Sequence, residues 1–208
     1  MALIPIDLLA GFFAAAILLA LAPGPDNLFV LTQAALYGRA SGLAVMFGLC
    51  TGLIGHSVAV ALGIAVIFQT SATAFTAVKF AGTAYLLYLA WQAFRTTATG
   101  PAAVSRERLG RLYRRGIIMN LTNPKVALFF LAFLPQFADP LRGSLPLQLL
   151  LLGATFIAAT VLVFGAIALL AGTLGGWLKR SPLVQRGLNW AAGAVFIGLA
   201  VSLLQAKR

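Results

Sequence analysis

The chain has few charged residues, and acidic ones are especially scarce. Of its 208 residues, 61% are hydrophobic and only 9% are charged, with 4 acidic and 15 basic side chains. Because a soluble domain carries roughly 25% charged residues, this composition cannot cover a surface that faces water. It excludes a soluble enzyme, a disordered chain, a coiled coil and collagen. We expect a chain that is almost entirely embedded in a membrane.

Cysteine and histidine each occur once, as Cys50 and His56. A single cysteine excludes an internal disulfide, a CxxC redox pair and a thiolate metal cage. One histidine with so few carboxylates is also too little for the metal or acid–base cluster of an enzyme. We therefore expect no metal, no cofactor and no enzymatic activity.

Long apolar runs fill most of the sequence. A helix needs about 20 apolar residues to cross the hydrocarbon core of a membrane, and six runs are candidates. The first is interrupted but long enough to cross. The runs predict an all-α polytopic membrane protein whose six transmembrane helices lie at about 6–36, 41–68, 74–95, 115–138, 146–172 and 188–206.

The basic residues predict how these helices are oriented. Ten of the 15 lie in the three connections on one side of the membrane, after spans one, three and five. Cytoplasmic loops are enriched in Lys and Arg, so both termini should lie outside the cytoplasm. The net charge of +11 then reflects topology and not nucleic-acid binding, because no basic stripe is interleaved with aromatic residues. Contact between these arginines and lipid headgroups is a lesser alternative.

Two halves of the chain have the same plan. Residues 6–95 and 115–206 each hold three predicted spans, and a basic linker at 96–114 joins them. Three crossings per half give the halves opposite orientations, which is the pattern of an inverted repeat. We expect a single transmembrane domain over residues 1–208.

Each half begins with a span that contains a proline break followed at once by an ionisable residue. Asp26 and Lys125 each lie ten residues from the end of a predicted span, which is ~15 Å at 1.5 Å per residue. Charges near the middle of a membrane are costly and normally face a protein-lined cavity. Proline lacks the N–H that a regular helix needs. Helices one and four should therefore be broken, at Pro23-Gly24-Pro25 and at Asn123-Pro124.

A zwitterion suits such a site, because broken transmembrane helices with opposite charges can hold both of its groups. A carboxylate can bind Lys125 and the free N–H groups of a half-helix, and an ammonium can bind Asp26. Alternatively, Asp26 and Lys125 pair with each other, and the prolines only fix helix packing.

Further polar residues near the breaks are candidates for the same cavity. Gln33 lies seven residues after Asp26 and so on the same helix face. His56 can relay protons near neutral pH or serve as a hydrogen-bonded structural residue. Gln33 and Asn27 either line the cavity or only bond neighbouring helices, and Asn120 lies near the second break.

Small residues recur at four-residue spacing after the first span. Gly38 with Gly42, and Gly48 with Gly52, allow close approach between helices. This approach is expected within one chain, with a homodimer seam as the alternative.

In these motifs the chain resembles the lysine exporter and homoserine-threonine resistance family of bacterial amino-acid efflux proteins, over nearly its whole length. The resemblance implies a six-helix secondary exporter in the bacterial inner membrane, driven by proton exchange. Because Asp26 is the only acidic residue deep in a span, a neutral amino acid such as threonine, homoserine or leucine is the expected substrate. The motifs are Pro23-Gly24-Pro25-Asp26, Asn123-Pro124-Lys125, the segment from Phe129 to Phe137, and the glycines Gly38, Gly42, Gly48 and Gly52.

Other functions remain possible for the same features. An exporter or channel for an inorganic ion or another small metabolite can use the same broken helices. A membrane enzyme lacks a recognisable nucleophile motif, and a membrane redox carrier lacks the second cysteine.

Overall fold

The computed structural model describes residues 3–22, 24–70, 72–95, 106–180 and 182–205. Within these ranges the chain forms helices and contains no strand. The α-helices are α1 (Ile6–Leu21), α2 (Pro25–Tyr37), α3 (Arg39–Thr70), α4 (Ala72–Arg95), α5 (Leu109–Leu121), α6 (Pro124–Leu128), α7 (Leu145–Arg180) and α8 (Pro182–Gln205).

The first predicted helix break is confirmed. α1 ends at Leu21, α2 begins at Pro25, and their axes differ in direction by 63°. Gly24 is extended at the start of α2. Proline suits the first position of a helix because its missing N–H would have no partner there.

The second predicted break is also confirmed. α5 ends at Leu121, and α6 begins at Pro124 after Asn123, whose side-chain oxygen accepts a hydrogen bond from the N–H of Lys125. The two segments are bent by 49°. After α6 the chain widens into a π-helical turn (Phe129–Phe133) and tightens into a 3-10 turn (Leu134–Phe137). Pro135 accounts for this irregularity, because it cannot donate a hydrogen bond to the preceding turn.

Two helices are individually long and apolar enough to cross a membrane. They are α3 over Arg39–Gly63 and α7 over Leu145–Ala171. Two bent pairs also qualify if each forms one span, namely α1 with α2, and α5 with the segment Pro124–Phe137 that contains α6 and the turns after it. α8 contributes a shorter apolar stretch at Asn189–Gln205. By length and composition, the described residues thus contain two to four candidate spans, and the arrangement with six remains a prediction.

The fourth predicted span begins later in the sequence than the helix that contains it. The basic linker was expected at 96–114, but α5 begins at Leu109. Several arginines assigned to the linker therefore belong to the first turns of α5, because arginine is a good helix former even where the apolar pattern is absent. Residues 96–105 of the linker lie outside the described residues.

The interior is built by α3, which packs against α5 and α7, while α4 packs against α8. The α3–α5 contact is made between backbones. A Cβ on Gly116 would lie 3.1 Å from the Cα of Gly48, and a Cβ on Gly48 would overlap the carbonyl oxygen of Tyr113. The expected packing of glycines within one chain is confirmed here, at Gly42 against Ala34, and at Gly52 against Asn120.

Aromatic rings fill the space beside the second break. Phe129 contacts Phe12 from α1, Phe156 from α7 and Phe133 from its own turn, with ring centroids 4.8–6.0 Å apart. Phe129 is completely buried. This cluster fixes the irregular segment after α6 against the long helices and so positions the break.

Candidate functional site

The two helix breaks meet in the interior. Asn123, which caps α6, donates a hydrogen bond from Nδ2 to the Asp26 carboxylate oxygen Oδ2 over 2.9 Å. Both side chains are buried. Since Asn123 also accepts the N–H of Lys125, one side chain links the start of α2 to the start of α6. The expectation that residues around the two proline motifs lie together is therefore confirmed.

Asp26 occupies the first turn of α2. A negative charge is favourable there, because the N-terminal end of a helix dipole is positive. Its second carboxylate oxygen, Oδ1, is buried and has no hydrogen-bond partner among the described residues. One oxygen of this carboxylate is therefore held by Asn123, whereas the other is not held by any described side chain or backbone group.

Lys125 lies at the beginning of α6, the unfavourable end of a helix for a cation. The structure resolves this conflict, because the side chain leaves its own helix. Its Nζ donates to the carbonyl oxygens of Leu19 and Ala22 at 3.3 and 3.2 Å, at the C-terminal end of α1. A cation is favourable at that end, so Lys125 acts as a cap for a different helix.

Asp26 and Lys125 do not pair directly. Among the described residues, the ion pairs within 4.0 Å are those of Arg115 with Glu107 and of Arg142 with Asp139. The sequence-based alternative of a direct pair between the two deep charges is thus not what this conformation contains. Lys125 binds backbone carbonyls instead, because the broken end of α1 supplies acceptors closer to its ammonium.

Two further asparagines leave unpaired oxygens near the breaks. Asn27 donates from Nδ2 to the carbonyl oxygen of Ala20, and its Oδ1 has no partner. Asn120 lies close enough to interact with Asp26, and its Oδ1 is likewise unpaired. Together with Asp26 Oδ1, three buried acceptor oxygens have no donor among the described residues. Native proteins rarely leave such groups unpaired, so a group that donates hydrogen bonds, whether water or a ligand, fits this site.

Gly24 keeps the space between these groups open. A Cβ at this position would lie 3.3 Å from Lys125 Nζ and 3.8 Å from Asn27 Oδ1. The backbone of the first break therefore passes directly beside the lysine ammonium and an unpaired oxygen. Of the other break residues, Pro25 and Pro124 occupy first helical positions, and Pro23 lies outside the described residues.

Gln33 is completely buried in α2, and neither its Oε1 nor its Nε2 has a hydrogen-bond partner in the part of the chain that the structure describes. Of the two sequence-based interpretations, bonding to neighbouring helices is therefore not observed in this conformation. The other interpretation, a polar group that lines a cavity, stays a prediction.

His56 connects α3 to the second break. Its Nε2 lies 3.2 Å from the carbonyl oxygen of Asn120, and its ring stacks beside Phe130 with centroids 5.6 Å apart. The same carbonyl accepts the N–H of Asn123. This bonding agrees with the structural interpretation of His56, while the proton-relay interpretation stays a prediction.

Sequence reasoning missed the backbone oxygens of Leu19, Ala20 and Ala22 as members of the site. The signal was present in the prolines. In a continuous helix the Leu19 carbonyl would accept the N–H of residue 23, but Pro23 has none. The break at the proline motif thus leaves carbonyl oxygens of α1 without helical N–H donors, and Lys125 and Asn27 donate hydrogen bonds to these oxygens.

The described part of the chain does not contain a cluster of typical metal ligands. No three His, Cys, Asp or Glu side chains there lie close enough together to hold an ion. The groups that converge are carboxylate, amide and backbone oxygens around one lysine.

Long apolar helices, together with two broken helix pairs that bring a buried carboxylate and a half-buried lysine into one region, indicate a membrane-embedded protein. The sequence pattern of the LysE type translocators matches residues 17–207, and the chain belongs to that family. This confirms the resemblance drawn from the proline motifs and identifies the protein as a membrane-embedded translocator.

Several relatives are similar over nearly their whole length. An uncharacterized membrane protein of Vibrio cholerae is 36% identical over 194 residues, covering 92% of this chain and 94% of the relative. A homoserine/homoserine lactone efflux protein of Salmonella typhimurium is 36% identical over 193 residues, covering 91% and 92%. An uncharacterized membrane protein of Pseudomonas aeruginosa is 30% identical over 193 residues, covering 89% of each. No solved structure matches the chain.

Proposed function

We propose that this protein is a secondary transporter that exports neutral amino acids, such as homoserine, threonine or leucine, from the cytoplasm across the bacterial inner membrane. The observation that carries the proposal is the meeting of two helix breaks with Asp26 on one side and Lys125 on the other. The family supports translocation, and the name of the Salmonella relative supports efflux of homoserine or its lactone.

The substrate ammonium binds the three unpaired oxygens of Asp26, Asn27 and Asn120. An ammonium has three N–H donors and no acceptor, so it complements a set of acceptors that lack donors. This pairing also gives the buried carboxylate a positive partner, which lowers the cost of its charge in the membrane.

The substrate carboxylate binds Lys125. In the structure the lysine ammonium donates to the carbonyl oxygens of Leu19 and Ala22. A carboxylate is a stronger acceptor than a neutral carbonyl, so it competes well for the same donors. The exchange loosens the cap on α1 and so couples substrate binding to movement of the broken helix.

In the proposed antiport, Asp26 is the residue that carries the proton. The carboxylate is ionised when it holds the substrate ammonium and takes up a proton after the substrate leaves. A neutral Asp26 lets the empty site return at lower electrostatic cost. One acidic group in the site is consistent with the exchange of a proton for a neutral amino acid.

The architecture proposed for this cycle has six spans in two inverted repeats, with both termini outside the cytoplasm. Helix packing supports it. The contact of α3 with α5 has a counterpart in the contact of α7 with α1, and α3 packs on α7 as α4 packs on α8. These are the pairs expected if α1–α4 and α5–α8 are related by a two-fold axis. In this architecture the lipid bilayer surrounds the helix bundle. The same architecture also allows two copies of the chain to form a homodimer.

The test is transport by the purified protein in proteoliposomes that contain one of a panel of labelled amino acids. Efflux should be selective for a few neutral amino acids and should increase when a pH gradient is imposed. An efflux rate that does not change with the pH gradient would contradict proton antiport. The absence of efflux for every amino acid would contradict the proposed substrate class.

An ion exporter or channel is the second candidate, since three buried oxygens also resemble the ligands of a hard cation. The nearby Lys125 argues against it, because its charge repels a cation. The same vesicles test this alternative. Movement of Na⁺, K⁺ or a divalent cation without any amino acid would favour it.

A further inference from the structure

Gln33 is a buried polar group that the proposed binding of ammonium and carboxylate does not use. Its side chain has no solvent exposure, and both amide atoms are unpaired. Leaving a buried donor and a buried acceptor unsatisfied is unfavourable, because each has given up its hydrogen bonds to water without replacing them. A purely structural residue at this position would be replaced at lower cost by leucine or methionine.

The helix register aligns Gln33 with Asp26. Seven residues of α-helix are nearly two turns, so both side chains lie on one face of α2, ~10 Å apart along its axis. Helical side chains lean toward the N-terminus, and the glutamine side chain is longer than that of aspartate. The amide of Gln33 is therefore displaced toward the Asp26 carboxylate.

The surface between the two polar groups is apolar. Phe29 and Val30 lie on the same face of α2 between Asp26 and Gln33, and both are buried. This face therefore presents a carboxylate at one end, hydrocarbon in the middle, and an amide donor and acceptor at the other end.

We propose that Gln33 is the side-chain subsite of the transporter and selects amino acids that carry a hydroxyl group at the end of a short aliphatic side chain. The inference rests on the proposed function, because the ammonium at Asp26 fixes the direction of the substrate. A hydroxyl both donates and accepts a hydrogen bond and so satisfies the two unpaired amide atoms together. Methylene groups of the substrate contact Phe29 and Val30.

The closing experiment compares homoserine with norvaline, in which a methyl group replaces the hydroxyl. Efflux of both is measured in proteoliposomes for the wild type, Gln33→Leu and Gln33→Met. The ratio of homoserine to norvaline efflux should fall by about tenfold in both variants, as expected for the loss of one or two hydrogen bonds. Norvaline efflux should be retained or increased.

Gln148→Leu is the matched control. Gln148 is also completely buried, but its amide donates to the backbone oxygen of Asp139 and accepts from the N–H of Asp139, each over 2.9 Å. Its loss should lower the abundance and thermal stability of the protein while leaving the homoserine-to-norvaline ratio unchanged. Methionine is unbranched and similar in length to glutamine. A change seen in both Gln33→Met and Gln33→Leu is therefore not explained by a packing defect that is specific to leucine.

The outcomes separate the two proposals. If the wild type exports amino acids but the ratio is unchanged in both Gln33 variants, Gln33 is not the subsite, and the proposed function stands. If the wild type exports neither homoserine nor norvaline nor any other amino acid, the proposed function fails, and the subsite fails with it.

Discussion

At the scale of single residues, the side chains of Asp26 and Lys125 are each stabilised by the end of a helix at a break. Asp26 lies at the start of α2, and Lys125 binds the carbonyls at the end of α1. Asn123 joins them through its bond to Asp26 and its cap on α6. The charges are thus held at the same pair of breaks without forming an ion pair, and in the proposed function each binds the substrate group of opposite charge.

Asp26→Asn should abolish proton-coupled export while the protein still inserts into the membrane. The amide keeps the size of the side chain but cannot exchange a proton or carry a negative charge. Efflux in proteoliposomes with and without a pH gradient measures the effect. Asp139→Asn is the control, since Asp139 lies in the connection before α7, next to Arg142. Wild-type efflux by Asp26→Asn at normal abundance would remove Asp26 from the mechanism.

Lys125→Met should reduce both transport and stability. Methionine keeps most of the aliphatic stem but leaves the carbonyls of Leu19 and Ala22 without this donor, at about 1–3 kcal/mol for each buried group. Thermal stability in detergent and labelled efflux measure the two effects. Lys79→Met is the comparison, because the Nζ of Lys79 reaches a carbonyl of α8 at 3.5 Å, and it should cost less. Equal stability of Lys125→Met and the wild type would show that the cap on α1 is unimportant.

Side chains at the site were largely predictable from the sequence, but their partners were not. The proline motifs and the depth of Asp26 and Lys125 identified the region. A sequence does not display backbone carbonyls, and so the partner of Lys125 was expected to be a carboxylate. The unpaired amide of Gln33 was also out of reach, because only coordinates show which polar atoms lack a partner.

At the scale of helices, close backbone contacts determine which elements can move together. Gly48 on α3 and Gly116 on α5 bring the two backbones into contact. Because α5 leads directly into the second break, this contact holds one end of the broken span against a long continuous helix. Movement of the break must therefore be accommodated beyond this contact, near Asn123.

Gly48→Ala should strongly destabilise the protein or prevent its assembly. The new Cβ would overlap the Tyr113 carbonyl oxygen and would force α5 away from α3. Gly63→Ala is the matched control on the same helix, because no described atom lies within 4 Å of the position of its Cβ. Alanine there should be neutral or stabilising by up to about 1 kcal/mol. Membrane abundance and thermal unfolding compare the two, and equal stability of both variants would contradict close packing of α3 on α5.

Helix positions were predicted well because they depend on apolar length and on prolines, both of which are local properties. The start of α5 at Leu109 was not predicted, since a basic, weakly apolar segment gives no membrane signal although arginine favours helix. The π-helical turn at Phe129–Phe133 was also missed, because it depends on how Pro135 is accommodated against the aromatic cluster.

At the scale of the whole molecule, the orientation in the membrane connects the site to its function. The segment from α5 to the end of its 3-10 turn runs from Leu109 to Phe137. Arg108 therefore precedes this broken span and Leu141 follows it. If the basic connection is cytoplasmic, as the distribution of Lys and Arg indicates, these two residues lie on opposite sides of the membrane.

Cysteine labelling tests this orientation. In a Cys50→Ala background, Leu141→Cys should react with a membrane-impermeant maleimide in spheroplasts, and Arg108→Cys should react only after the membrane is permeabilised. Both positions are exposed, Leu141 at 95%, so poor access within the protein would not explain protection. The reverse pattern would place both termini in the cytoplasm.

The direction of α2 relates this orientation to the site. Phe29, three residues after Asp26, lies 4.5 Å from the guanidinium of Arg115 near the start of α5. α2 therefore runs from the breaks toward the same side as Arg108. The expected labelling would thus put Gln33 on the cytoplasmic side of Asp26, where an exported amino acid meets it before release.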